Sequence, residues 1–165
     1  MAIFTAVHVA LSLFGIVTGL GVLGGFLVGS WKNTWNLVFL TTTALTSATG
    51  YGFPFDHLLP SHIVGALSLV VLAVAMFALY GRHLAGGWKR TYVVSAVVAL
   101  YFNAFVLVVQ SFLKVPALHA LAPTQSEPPF AIAQLAVLVL FAAAGVTAFV
   151  RSHQCRLPTA PTRQA

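Results

Sequence analysis

The chain has 165 residues, of which 59% are hydrophobic and 6% charged, whereas a soluble domain carries about 25% charged residues. That composition excludes an ordinary water-soluble domain, and the length excludes two domains of usual size. The formal net charge is +6, but the basic residues are scattered at the ends of apolar stretches, so membrane topology accounts for them better than a nucleic-acid partner.

Five stretches contain no Asp, Glu, Lys or Arg: 1–31, 33–55, 57–81, 91–113 and 128–150. A helix needs about 20 residues to cross a hydrocarbon core of about 30 Å. The expected fold is therefore all-α, a polytopic bundle of five transmembrane helices over roughly 3–29, 35–53, 61–81, 91–113 and 130–150. Residues 1–150 form this bundle, and 151–165 read as a polar, disordered tail. A β-barrel would show alternating strands of about ten residues, and these stretches are continuously apolar.

The first segment lacks the basic region and small-residue cleavage site of a signal peptide, so it is expected to be retained. Its pairs Gly15–Gly19, Gly21–Gly25 and Gly25–Gly29 are spaced by four, which lets helix backbones approach closely or supports a homo-oligomer. His8 and Ser12 share a face near its start. The second segment is the least apolar, and a re-entrant segment is the alternative to a span. Its Thr42, Thr46 and Thr49 make one polar stripe. The loop PFDHLLP, with Asp56 and His57, leads to His62 and Ser68 at the start of the third segment. The fourth carries Asn103 near its middle and Gln110 two turns further along the same face. Residues 114–129 contain four prolines together with His119 and Glu127. Pro116 suits the first turn of a short surface helix. The last segment begins near Gln134 and carries Ala142, Ala143, Ala144, Gly145 and Ala148 for close packing.

Alternating loops place Lys32, Arg82, Lys89, Arg90, Arg151, Arg156 and Arg163 on one side and Lys114 alone on the other, a 7:1 split. The positive-inside rule then predicts a periplasmic N-terminus and a cytoplasmic C-terminus in a bacterial inner membrane. Trp31, Trp35, Trp88, Tyr80 and Tyr92 form an aromatic belt at the cytoplasmic boundary. The single Cys155 permits no internal disulfide.

Polar groups in spans face protein or a water-filled cavity. His8, His62, Asn103, Gln110 and Gln134 are expected to line an outward-facing pocket, with His119 and Glu127 above it on the 114–129 loop. Their bland role is hydrogen-bonded glue between helices, worth about 0.6 kcal/mol each. Imidazoles beside carboxylates also suit a transition metal, with His8, His57, His62 and Asp56 as the set, or a b-type haem between His8 and His62. No cofactor is expected from spacing alone, since no HExxH or HxxxH pattern occurs.

The segments TSATGYGFPF (46–55), LPSHIVG (59–65) and YFNAFVLVVQSFLKVPALHALAPTQSEPPF (101–130), with Gln134, resemble those of a group of uncharacterised small bacterial inner-membrane proteins. The resemblance implies a five-span membrane protein and no activity. Three functional classes follow: a non-enzymatic protein binding a small ligand or partner through the pocket, a redox protein holding haem or a metal, and an assembly subunit of a larger membrane complex. The last predicts that the polar groups pair with one another and leave no cavity.

Overall fold

A computed structural model describes residues 2–30, 32–52 and 60–152. These residues are helical, with no strand among them: α1 Ala2–Val28, α2 Asn33–Gly50, α3 Pro60–Met76 continued by a π-helical turn Phe77–Gly81, α4 Trp88–Lys114, α5 Pro116–Leu121 and α6 Pro128–Arg151. Of the tail expected at 151–165, Arg151 ends α6 and Ser152 caps it, while 153–165, with His153 and Cys155, lie outside the described residues, as do Trp31 and the loop residues Asp56 and His57.

Four of the helices are long and apolar enough to cross a membrane: Ile3–Val28, His62–Gly81, Trp88–Lys114 and Pro128–Arg151. The chain is thus compatible with an integral membrane protein. The 18-residue α2 falls outside that set because its hydroxyl-rich sequence, TTTALTSATG, lowers its hydropathy.

Pairwise contacts set the topology. Along α1, His8 meets Thr49, Gly15 meets Thr42 and Thr43, and Gly21 meets Trp35, so α1 and α2 run antiparallel over most of their lengths. The Ser47–Ser68 hydrogen bond sets α3 antiparallel to α2. Phe77 against Trp88 closes α3 onto α4. Tyr101 against Phe141 and Arg90 against Phe149 set α6 antiparallel to α4. The helix ends therefore alternate. Lys32, Arg82, Lys89, Arg90 and Arg151 lie at one end of the bundle, called here the basic end. The opposite end, the loop end, carries Lys114 and Glu127.

Helix α4 is the central element, with half of its apolar window buried, whereas none of the window in α6 is. Most of the α6 surface is therefore available to lipid. Close packing of α1 depends on glycine. A Cβ at Gly19 would lie 2.5 Å from Leu100 Cδ1 and 2.8 Å from Phe39 Cε2. At the end of α1, Gly29 takes φ +75°, which costs a glycine little. The Ser30 N–H then donates to Gly25 O at 2.8 Å, and the helix closes in a Schellman motif.

The buried core lies in the half nearer the basic end. It joins Val22, Leu23 and Phe26 of α1, Phe39 and Leu40 of α2, Leu72, Ala75 and Ala78 of α3 and residues Tyr92 to Leu100 of α4. Arg82 over Trp88, at 5.6 Å, and the Arg151 guanidinium donating to Leu27 O tie that end together. The other half of the α1–α4 ring is hollow.

Candidate functional site

The hollow is a cavity of about 560 Å³ between α1, α2, α3 and α4, on the loop-end side of the core. Each helix contributes polar groups because its loop-end half carries them at helical spacing. From α1 come Thr5, His8 and Ser12; from α2, Thr46 and Ser47; from α3, His62 and Ser68; from α4, Asn103, Gln110, Ser111 and Lys114. Apolar residues fill the spaces between them, including Val9, Leu13, Phe102, Val106 and Leu107.

Asn103 marks the floor. It is 6% exposed, and its Nδ2 donates to Thr43 Oγ1 at 3.3 Å. Lys114, at the mouth, is eleven residues further along α4, about 16 Å at 1.5 Å per residue. One turn along α2 from Thr42 and Thr43, the Thr46 hydroxyl is buried and has no hydrogen-bond partner, in a residue only 8% exposed. Its neighbours behave differently. Thr42 donates to Val38 O at 2.7 Å and Thr49 to Leu45 O at 2.7 Å, as hydroxyls within helices commonly do. Thr46 lines the cavity, with its hydroxyl oxygen beneath the lining. A buried hydroxyl without a partner is unfavourable by about 1–3 kcal/mol, so fold stability alone gives no reason for it.

The two histidines lie on opposite sides of the ring. His8 Nδ1 is 2.9 Å from Thr49 Oγ1. His62 is buried, with its ring tilted against Tyr51 at 5.6 Å between centroids. Tyr51 in turn donates its hydroxyl to His62 O at 2.7 Å, which fixes the start of α3 against the end of α2.

Of the residues singled out from sequence, His8, His62, Asn103 and Gln110 come together at this cavity. Gln134, His119 and Glu127 do not line it. The Gln134 amide instead donates to Phe105 O at 3.3 Å in the α4–α6 seam, where its Oε1 is buried without a partner. Beyond Val115, which still lines the cavity, the 116–127 segment folds along the flank of α4 rather than over the mouth. Gln125 Nε2 donates to Val109 O at 2.8 Å, and Phe112 packs edge-on against Phe130 at 5.4 Å. That anchoring leaves His119 exposed on α5, the short helix expected after Pro116. Glu127 turns back on its own loop, accepting from Thr124 N at 3.2 Å, Thr124 Oγ1 at 2.9 Å and Ser126 N at 3.1 Å. Slight desolvation by itself would raise the Glu127 pKa, but these hydrogen bonds outweigh it and hold the carboxyl below the usual carboxylate range.

Sequence reasoning passed over Thr43, Ser47 and Tyr51. Thr43 and Ser47 form a second i, i+4 pair beside the 42/46/49 stripe, so the signal was present in TTTALTSATG. Tyr51 carried no such signal, because its role depends on the start of α3 lying beside the end of α2.

No protein family, curated protein or solved structure matches this chain. The site therefore has to be read from its own chemistry. Among the described residues, no group of three or more His, Cys, Asp or Glu side chains comes together. What the cavity presents is polar: hydroxyls, amides and imidazoles set between apolar walls, with Lys114 at the rim. Such a lining can bind and orient a molecule through hydrogen bonds.

Proposed function

We propose that this protein is a five-span protein of the bacterial inner membrane that binds a small molecule, without transforming it, in a cavity opening toward the periplasm. The observation that carries the reading is a cavity of about 560 Å³ walled by polar side chains from four helices, with the Thr46 hydroxyl unpartnered beneath its lining. A purely structural bundle would favour a valine at that position. The five-span topology is supported by α2. At about 1.5 Å per residue its 18 residues extend about 27 Å, close to the bilayer core, and they run alongside α1 from His8 to Gly21. The orientation is supported by the basic end, which holds Lys32, Arg82, Lys89, Arg90 and Arg151 and so belongs in the cytoplasm. The resemblance to small bacterial inner-membrane proteins agrees with this location.

Native mass spectrometry of the full chain, released from mild detergent, tests the reading. The wild-type protein carries a bound small molecule. The Val106→Trp variant, which fills the cavity from α4, loses it while keeping its helical circular dichroism. A wild-type protein without bound mass, or the same bound mass on both proteins, would refute the reading.

A second reading is a b-type haem or a transition metal held between His8 and His62, because both imidazoles line the same cavity. Purified protein with a Soret band, or with stoichiometric metal lost in a His62→Ala variant, would establish it.

A further inference from the structure

The cavity has a side as well as a mouth. Helices α1 and α4 meet closely from Phe26 against Tyr92, with ring centroids 5.9 Å apart, to Gly15 beside Asn103, where an added Cβ would lie 3.6 Å from Nδ2. Toward the loop end from that point, Val9 and Leu13 of α1 and Val106, Leu107 and Gln110 of α4 line the cavity between the two helices. Several of these wall residues are also open on the bundle's surface: Val9 is 48% exposed, Leu13 45% and Leu107 38%. A residue that lines a cavity and is also exposed on the side of a membrane bundle marks an opening toward lipid.

The polar groups inside are graded. The floor, with Asn103, Thr46, Ser47 and Ser68, carries no charged side chain among the described residues. The one charged lining residue described, Lys114, is about 16 Å away by helix rise. An ionic group at the floor would be buried near the membrane midplane without a counter-charge, which is strongly unfavourable. An uncharged group with oxygen atoms suits it. The Thr46 hydroxyl, unpartnered beneath the lining, reaches the cavity on a side-chain rotation, and the Asn103 amide has one atom engaged by Thr43 and the other available.

We infer that the ligand enters sideways from the bilayer, between the loop-end halves of α1 and α4. Its class is a lipid-soluble amphiphile with an uncharged, oxygen-bearing head and an apolar tail. The head bonds Asn103 and Thr46, and the tail lies along Val9, Leu13 and Leu107 into lipid. Lipid-soluble quinones and acylglycerols share this chemistry. The inference rests on the cavity being a binding site, and it adds the route and the ligand class.

The test uses the full chain in lipid nanodiscs, with thermal unfolding followed as each probe is titrated. The probes are decylubiquinone, dioctanoylglycerol and the same benzoquinone ring without its decyl tail. At least one tailed probe raises the unfolding temperature at a concentration about tenfold or more below that of the tail-less ring, because its methylenes are buried. Which tailed probe does so identifies the source. Thr46→Val and Asn103→Leu each weaken that probe. Leu107→Trp and Val9→Trp, at partly exposed positions the fold tolerates, block the tailed probes by narrowing the lateral gap. If the tail-less ring binds as tightly and both tryptophan variants leave binding unchanged, the lateral route is overturned while the cavity remains a binding site. If neither tailed probe shifts unfolding up to its solubility limit, the ligand class is overturned. Failure of the cavity as a site is read separately, from the masses of the wild-type and Val106→Trp proteins.

Discussion

Replacing Gly19 by alanine isolates the close packing that joins α1 to its neighbours. The new Cβ would lie 2.5 Å from Leu100 Cδ1 and 2.8 Å from Phe39 Cε2, inside any normal carbon–carbon contact. Both neighbours are 1% exposed, so neither side chain has space to move into, and overpacking of this kind costs about 1–3 kcal/mol. Alanine also favours a helix over glycine by about 0.5–1 kcal/mol, which partly hides the loss. Gly24→Ala, on the same helix, provides the correction, since an added Cβ there meets nothing within 4 Å. Both variants gain the same helix propensity, so the difference between them equals the packing penalty, about 1–3 kcal/mol. That is roughly a five- to 150-fold difference in the unfolding equilibrium. The assay is reversible unfolding in mixed detergent micelles, followed by far-ultraviolet circular dichroism. Gly19→Ala as stable as Gly24→Ala would refute the packing of α1 against α2 and α4.

Three further outcomes follow. Thr46→Val removes a buried hydroxyl with no partner and raises stability by about 1 kcal/mol in the same assay, while weakening ligand binding; a loss of stability would mean the hydroxyl is bonded. Tyr92→Phe removes the 2.8 Å donation to Asn36 Oδ1 and strands a buried acceptor, which lowers stability by about 1 kcal/mol; unchanged unfolding would contradict it. The Glu127 carboxyl is held below the usual carboxylate range, so its contribution to the loop is present at neutral pH and is lost as pH falls through its folded value. Amide exchange of Thr124 and Ser126, corrected for its intrinsic pH dependence, should therefore gain speed on acidification. In Glu127→Gln that acid-induced gain disappears, and a gain equal to wild type would exclude Glu127 as its cause.

The apolar helices were legible because lipid demands length and continuous hydrophobicity, which composition shows directly. Five basic residues, Lys32, Arg82, Lys89, Arg90 and Arg151, likewise mark one end of the bundle, since each lies near a helix terminus, and Lys114 lies at the other. His8, His62, Asn103 and Gln110 were found because a polar group inside an apolar helix has few places to point. The failures share a cause. Gln134, His119 and Glu127 lie on α6 or on the segment before it, and α6 docks on the flank of α4 away from the cavity. Helical periodicity gives the face of one helix, not the partner that covers it. The Gln125 bond to Val109 O decides where the loop lies, and no spacing pattern announces it. The second helix was the weakest reading for a related reason. Three of the hydroxyls that lower its hydropathy, Thr43, Thr46 and Ser47, line the cavity or meet Asn103, so these residues both obscure the span and build the site.

The cavity opening toward the periplasm is tested most directly by thiol labelling. Ser12→Cys, in a Cys155→Ser background, places one thiol in the cavity lining. Intact spheroplasts are treated with a small, membrane-impermeant methanethiosulfonate. The account predicts that this thiol reacts from the outer side, and that adding Val106→Trp abolishes the reaction. A thiol that reacts only in inverted vesicles, or one untouched by Val106→Trp, would contradict it.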